Sequence, residues 1–234
     1  MPDNGPMRPA VLFDLDGVLV DSFRAHLLSW LDLGKEYGTR VTEAIFPSTF
    51  GRTSLEIIRE LWGPGLSEEM LARMYHRKEL LFRERLLTDV HPKEGAVELV
   101  DSLKEAGFLL AVGSSAPPAN VMLSLERIGR AQSFQAVITG ADVTIGKPHP
   151  RVFLLAAERV GAEPKNCAVI EDSTAGIEAA LSAGMRAIAL TGTNTAEQLG
   201  HAHLIVNSLR ELSPRKIADL IRGGSDGSQL NGGK

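Results

Sequence analysis

The sequence predicts an α/β protein, a doubly wound parallel sheet interrupted near its start by an inserted set of helices. Three observations point there. From residue 92 onward, apolar runs of strand length alternate with longer stretches of helical periodicity, the rhythm of βα units. The stretch from about Asp21 to Asp89 breaks that rhythm and holds helical patterns only. Ahead of the break, the run VLFDLDGVLV sets Asp14 and Asp16 at the end of an apolar strand. An unpartnered carboxylate is costly to bury there, so something must compensate the pair. In a doubly wound (Rossmann-like) sheet, right-handed crossovers place helices on both faces and working residues at the carboxyl ends of the strands.

The elements follow in order. Ala10 to Phe13 is the first strand. The inserted patterns are FRAHLLSWLDLGKEYG, TSLEIIRELWG and SEEMLARMYHRKELLFRERLL. The last has Ser67 as N-cap, an acidic first turn, and Met70, Leu71, Met74, Leu81 and Leu86 on a partly amphipathic face. EGAVELVDSLKEAG then leads to the strand FLLAVGSS, PPANVMLSLERIG to FQAVITG, and HPRVFLLAAERVGA to CAVIED. TAGIEAALSAGM, RAIALTG, HLIVN and LRELSPRKIADLIR complete the series. Gly107, Gly161 and Gly184 stand where helices end. The expected organisation is a discontinuous α/β core over 8–20 and 90–222, a helical cap over 21–89, and a disordered tail over 223–234, where GGSDGSQLNGGK is rich in glycine and polar residues. An insertion at a strand's carboxyl end would sit over a ligand site and could serve as a lid.

Composition narrows the function. With 25 basic and 29 acidic residues the net charge is −4, which gives no electrostatic footprint for nucleic acid or an anionic membrane and points to a small soluble partner. The single cysteine, Cys167, excludes an internal disulfide framework and a cysteine-cluster metal site; leading into CAVIED, it reads as a small buried residue. MPDNGPMRPA lacks a basic n-region, and the apolar run after it is short and interrupted by aspartates, so neither a signal peptide nor a membrane span is expected and the cytoplasm is the expected location.

Four polar groups follow apolar strands or stand in loops at the same sheet edge: Asp14 and Asp16, Ser114 with Ser115, Lys147 in IGKPHP, and Glu171 with Asp172. Carboxylates gathered at one spot repel each other unless a hard cation such as Mg²⁺ binds through oxygen. A lysine there supplies positive charge for an anionic substrate, and the set describes a phosphate site. One carboxylate can attack phosphorus while a second protonates the departing oxygen and then activates water. Asp14, at the rigid strand end, is the better nucleophile, and Asp16, in a loop with Gly17, is better placed for the leaving group.

DLDGVLVDS, the Ser114 loop, GKPHP and VIEDSTAGIEAALSAGM resemble the four motifs of the haloacid dehalogenase (HAD) superfamily, in its phosphatase and phosphomutase branch, over residues 8 to 222. The inserted helices resemble that branch's helical cap. The resemblance implies Asp14 as nucleophile and metal ligand, and Asp16 as general acid/base giving a backbone carbonyl to Mg²⁺. It implies Ser114 and Lys147 as phosphoryl-binding residues, Asp172 as a metal ligand, and Glu171 as a metal ligand or its neighbour. Dehalogenase members lack the second aspartate, so Asp16 argues for phosphorus chemistry.

Each residue has a plainer reading. Asp14 and Asp16 could be a turn pair, Lys147 a solvated loop lysine, Ser114 a cap for the following helix, and Glu171-Asp172 an N-cap with its dipole partner. His26 and Trp30 lie four apart on one helix face. Similar positions occur in β-phosphoglucomutase-like relatives, where the histidine approaches the acid/base; Trp30 reads as packing. Arg52 could clamp a phosphate or leaving group and Lys78 could point into the cleft, whereas the neighbours of Lys78 read as a solvated face. His201 and His203 would share a strand face and read as structural. The expected activity is an Mg²⁺-dependent phosphatase acting on a sugar phosphate or phosphoglycolate-like compound through a phospho-aspartyl intermediate. The expected partner is a small phosphorylated metabolite, and the chain is expected to be a monomer or weak homo-oligomer. The alternatives are a β-phosphoglucomutase-like sugar phosphomutase, supported by His26 although GRTSL is shorter than that family's GxSRxxSL, and an inorganic pyrophosphatase, which GRT and YHRKELLF resemble. A non-catalytic phosphate-binding regulator would be expected to lack Asp14 or Asp16.

Overall fold

Ala10–Phe13 is buried at every position, as a strand covered on both faces requires. In the computed structural model, which describes residues 8–39, 41–44, 46 and 52–225, this run is β1. It pairs in parallel with β2 (Leu109–Gly113) on one side and β4 (Cys167–Glu171) on the other, Ala10 lying opposite both Leu109 and Cys167. With β3 (Ala136–Ile138), β5 (Arg186–Leu190) and β6 (Leu204–Val206) the sheet has six strands in the order β3-β2-β1-β4-β5-β6. The order reverses between β1 and β4, and a crevice opens at the carboxyl ends of such a pair.

The alternation of β1 divides the core. Val11 and Phe13 join a cluster with Leu99, Leu125 and Ile217 from α4 (Ala96–Glu105), α5 (Pro118–Arg127) and α8 (Pro214–Ser225). Ala10 and Leu12 face the other side, against Phe153 of α6 (Arg151–Val160) and Ala180 of α7 (Thr174–Ser182). Gly107, Gly161 and Gly184 follow α4, α6 and α7 with φ of 81°, 73° and 72°. α8 runs three residues beyond Arg222, into the stretch expected as a disordered tail, and residues 226–234 lie outside the described residues. His201 and His203 precede β6 instead of sharing it. His203 Nδ1 accepts from the Ala187 N–H at 3.1 Å, a structural role.

The inserted helices are α1 (Phe23–Glu36), α2 (Ser54–Trp62) and α3 (Glu68–Asp89), with a core of their own around Trp30, Leu33, Ile58 and Met74. Ser67 caps α3, accepting from the Met70 N–H at 3.2 Å, and Thr53 with Glu56 forms a capping box on α2. α3 belongs to both cores: Leu71, Met74 and Leu81 pack within the inserted cluster, while Phe82 and Leu86 reach the sheet-side cluster. The chain leaves and returns along adjacent paths, Asp21 N–H donating to His91 O and Lys93 N–H to Leu19 O, both at 3.0 Å. Among the described residues no helix is long and apolar enough to cross a membrane.

Cys167 is fully buried at the start of β4, and burial pushes its thiol up to about 12. A thiolate-directed reagent at pH 8 is therefore expected to leave the native protein unlabelled and to label it stoichiometrically once unfolded. Comparing label incorporation with and without denaturant checks this, and rapid native labelling would contradict the placement.

Candidate active site

The strand ends deliver the polar groups to one place. Asp14 directly follows β1, and its N–H still bonds to Ile170 O of β4 at 3.0 Å, so the backbone beneath the carboxylate is fixed by the sheet. Ser114 follows β2 in the same way, its N–H donating to Ile138 O of β3 at 3.0 Å. Lys147 comes from the loop between β3 and α6. Its Nζ donates to Asp14 Oδ1 at 2.6 Å and to Glu171 Oε1 at 2.7 Å, and lies 4.7 Å from the centre of the Phe153 ring. The Lys147 side chain is 1% exposed. Burial alone would lower its pKa, but the two carboxylates more than offset this and hold it above the usual lysine range.

Glu171 is also locked. Its Oε2 accepts from the N–H groups of Asp172 and Ser173 at 2.8 and 2.7 Å and from Ser173 Oγ at 2.9 Å. A Cβ at position 176 would lie 1.7 Å from Glu171 Oε1, so the glycine of STAG is what lets α7 start against this carboxylate. Asp172 accepts from Thr193 Oγ1 through its carboxylate and from Asn194 Nδ2 through its backbone carbonyl, the latter at 2.8 Å. The N-cap of α7 is Ser173, so neither acid caps that helix itself; likewise α5 is capped by Pro117, and Ser114 Oγ instead accepts from Ala116 N–H at 3.0 Å.

Oxygens of Asp14, Glu171 and Asp172 lie within 4.8 Å of one another. Burial first, then the neighbouring carboxylates, push Asp14 up to about 7 against the pull of Lys147, and Asp172 is raised well above its ordinary value for the same reasons. Fully ionised, the three carboxylates against one ammonium would leave two negative charges in a buried pocket. An all-oxygen donor set with that excess fits a hard divalent cation. Since the Glu171 oxygens already serve Lys147 and the α7 N-terminus, Asp14 and Asp172 are the side chains with acceptor capacity to spare.

Asp16 turns away from this group. It accepts from Ser22 Oγ at 2.7 Å and pairs with His26 Nε2 at 3.3 Å. Burial would raise its pKa, but His26, Ser22 and Lys78 together bring it below the usual aspartate range. Lys78 Nζ stands 3.3 Å from His26 Nδ1, and the imidazole stacks on Phe82 with centroids 3.8 Å apart. A polar chain thus runs from α3 through α1 to the loop after β1.

A cleft of about 200 Å³ separates the strand ends from the inserted helices. Asp14, Asp16 and Ser114 line it on the sheet side, with His26, Arg52 and Lys78 across from them. Arg52 also pairs with Glu60 at 2.7 Å. Trp30 is buried in the inserted core and touches the cleft as well. The expectation of a solvated face around Lys78 fails at Glu79. The residue is 2% exposed, and its carboxylate is held by Ser54 Oγ at 2.6 Å, Asn120 Nδ2 at 2.5 Å and Lys78 Nζ at 3.1 Å. Sequence reasoning also passed over Asn120, Thr193 and Asn194, because a lone amide or hydroxyl in a polar loop or helix start carries no periodic signal.

A family model described as haloacid dehalogenase-like hydrolase matches residues 11–190. The phosphorylated carbohydrates phosphatase of Thermotoga maritima is 30% identical over 217 residues, covering 91% of this chain and 98% of that protein. Hexitol phosphatase A of Escherichia coli is 30% identical over 206 residues, covering 88% of this chain and 93% of that protein. Among solved structures, β-phosphoglucomutase from Clostridium difficile superposes with a TM-score of 0.85 at 26% identity, covering 93% of this chain and 98% of that one. The matched residues begin in β1, beside Asp14, and run to the end of β5, so they carry Asp14, Asp16, Ser114, Lys147, Glu171 and Asp172: the chain belongs to the haloacid dehalogenase-like hydrolases, in the branch of phosphatases and β-phosphoglucomutase-like proteins.

Proposed function

We propose that the protein is a divalent-cation-dependent phosphatase that hydrolyses the monoester of a small sugar or polyol through a phosphoryl group carried on Asp14. The observation that carries this reading is the buried contact of Asp14 with Lys147 beside Asp172, facing a cleft that Asp16 also lines. The names of the relatives, a carbohydrate-phosphate phosphatase and a hexitol phosphatase, support the substrate class.

In this reading a carboxylate oxygen of Asp14 attacks phosphorus as the ester oxygen departs, and Asp16, which must enter this step protonated although His26, Ser22 and Lys78 favour its ionised form in the free protein, gives that oxygen its proton. Asp16, then ionised, takes a proton from water, whose oxygen attacks phosphorus and frees Asp14 and inorganic phosphate. Lys147 and Ser114 hold the phosphoryl oxygens, and Glu171 keeps Lys147 in place. Asp14, Asp172 and the backbone carbonyl of Asp16 would hold Mg²⁺, which supplies charge neutralisation at the phosphoryl oxygens. Residues 21–89 act as a cap over the core of 8–20 and 90–222, excluding water during attack and admitting it afterwards. His26, Arg52 and Lys78 contact the substrate or leaving group from that cap, and His26 also orients Asp16.

A panel of phosphate esters assayed with Mg²⁺, and again with a chelator, tests this. Free phosphate is expected from sugar and polyol monoesters with Mg²⁺, and a loss of at least about tenfold is expected in chelator. The His26–Asp16 contact also favours the phosphomutase reading, so the panel includes β-glucose 1-phosphate, and pyrophosphate stands beside it. Isomerised sugar phosphate without phosphate release would replace the phosphatase reading with the mutase, and cleavage confined to pyrophosphate would replace it with the pyrophosphatase.

A further inference from the structure

Beyond the reacting phosphate, the cleft is lined by two cations, Arg52 and Lys78, that could receive a second anionic group on a substrate, and each already faces a carboxylate. The Arg52–Glu60 pair is partly exposed, so it restrains Arg52 only weakly. Lys78 and Glu79 are different. Both side chains are almost completely buried, at 2% and 3% exposure, and the lysine also faces His26, which in turn faces Asp16. The positive charge of Lys78 is therefore spent within the wall of the cleft.

Glu79 itself has the acceptor capacity to meet a hydroxyl. A carboxylate offers about four acceptor positions, and three are taken, by Ser54 Oγ, Asn120 Nδ2 and Lys78 Nζ. Burial would raise the pKa of Glu79, but Lys78 first and then Ser54 and His26 bring it below the usual glutamate range, so it stays ionised. Ser54 lines the cleft and donates its Oγ proton to Glu79, which leaves its oxygen free to accept, and Asn120 ties the same carboxylate to α5 on the sheet side. This wall accepts hydrogen bonds, and its cations are engaged, Lys78 by Glu79 at 3.1 Å and Arg83 by Asn120 Oδ1 at 3.0 Å, while the weakly restrained Arg52 lines the cleft as well.

We infer that Glu79 is a specificity-determining residue: with Ser54 it receives hydroxyl groups of a neutral polyhydroxy monoester and repels substrates bearing a second phosphate or a carboxylate. The inference rests on the phosphatase reading and narrows it, setting sugar and polyol monophosphates above phosphoglycolate-like acids and bisphosphates. A buried like charge facing an anionic leaving group acts by rejection, and so discriminates without strengthening binding of the favoured substrate.

The test compares kcat/KM for fructose 1-phosphate, fructose 1,6-bisphosphate and phosphoglycolate. In the unaltered protein the first is expected to exceed each of the others by about tenfold or more. Glu79→Gln keeps size and removes the charge, and should raise the ratio of bisphosphate to monophosphate turnover by about tenfold. Glu79→Asp keeps the charge and shortens the reach; it should preserve the discrimination while raising KM for fructose 1-phosphate. Thermal denaturation establishes whether each variant is folded, and if Glu79→Gln does not fold, the unaltered protein and Glu79→Asp still decide. Comparable kcat/KM for all three compounds, or an unchanged ratio in folded Glu79→Gln, would overturn the inference and leave the phosphatase reading standing. Release of phosphate from none of the esters, these or simpler ones, would instead count against the phosphatase reading.

Discussion

Asp14→Asn is expected to lower phosphate release by roughly 10⁴-fold or more while leaving the protein folded. An amide oxygen is a poor nucleophile, and the neighbours offer no replacement: Glu171 is bonded through both oxygens and Asp172 is held by Thr193. The folded state should tolerate the change because Lys147 keeps Glu171 as a partner at 2.7 Å, and the Asp14 charge that helps raise the pKa of Asp172 is removed. In chelator, the melting temperature is therefore expected to stay the same or rise. Phosphate release from an activated ester, read beside thermal denaturation, separates the two effects. A folded variant retaining full activity would remove Asp14 from the chemistry.

Lys147→Met should have the largest effect on stability. Methionine fills much of the same volume, but Asp14 and Glu171 then lose the cation that both touch within 2.7 Å. Breaking a buried ion pair from one side typically costs about 3–5 kcal/mol, because the carboxylates left behind must stay charged without compensation or take up protons. Urea unfolding in chelator measures this directly. Adding Glu171→Gln to Lys147→Met should recover part of the loss, since the second change removes one of the two stranded charges. A loss below about 1 kcal/mol, the range of an exposed ion pair, would show that Lys147 does not hold the pocket's charges together. Activity should fall with either result, because the positive charge proposed to hold the phosphoryl group is gone.

The sheet was legible because its signals are periodic and local. Ala10–Phe13 and Cys167–Glu171 are continuously apolar up to Glu171, as strands buried on both faces must be. The three inserted helices are stretches of helical periodicity, and α3 has a readable start at Ser67; the cap of α2 at Thr53 shows only in the structure. The groups after the strands were equally visible, since one sheet edge gathers Asp14, Ser114 and Asp172, and the structure also brings Lys147 there. What could not be read was which charges partner each other. Glu79 and Lys78 are adjacent in a run of charged residues, and only the packing of α3 against α2 and α5 buries both. The division of labour proposed for Asp14 and Asp16 was legible from their places after β1, and His26 from its place on its helix; the contact of Ser22 that helps turn the second carboxylate aside was not. The end of α8 was misjudged because Gly223 and Gly224 argue for a break, yet the helix carries on through them to Ser225.

The most direct test of the account is to catch the phosphoryl group on Asp14. With Asp16→Ala and an activated ester whose leaving group needs no proton, attack should proceed while water activation is slowed, so the phosphorylated protein should accumulate. Rapid acid quench and peptide mass spectrometry are predicted to find one phosphoryl group on the peptide carrying Asp14, absent from Asp14→Asn and removed by hydroxylamine. Release of the alcohol with no phosphoryl group on Asp14, or with one on another residue, would contradict the mechanism.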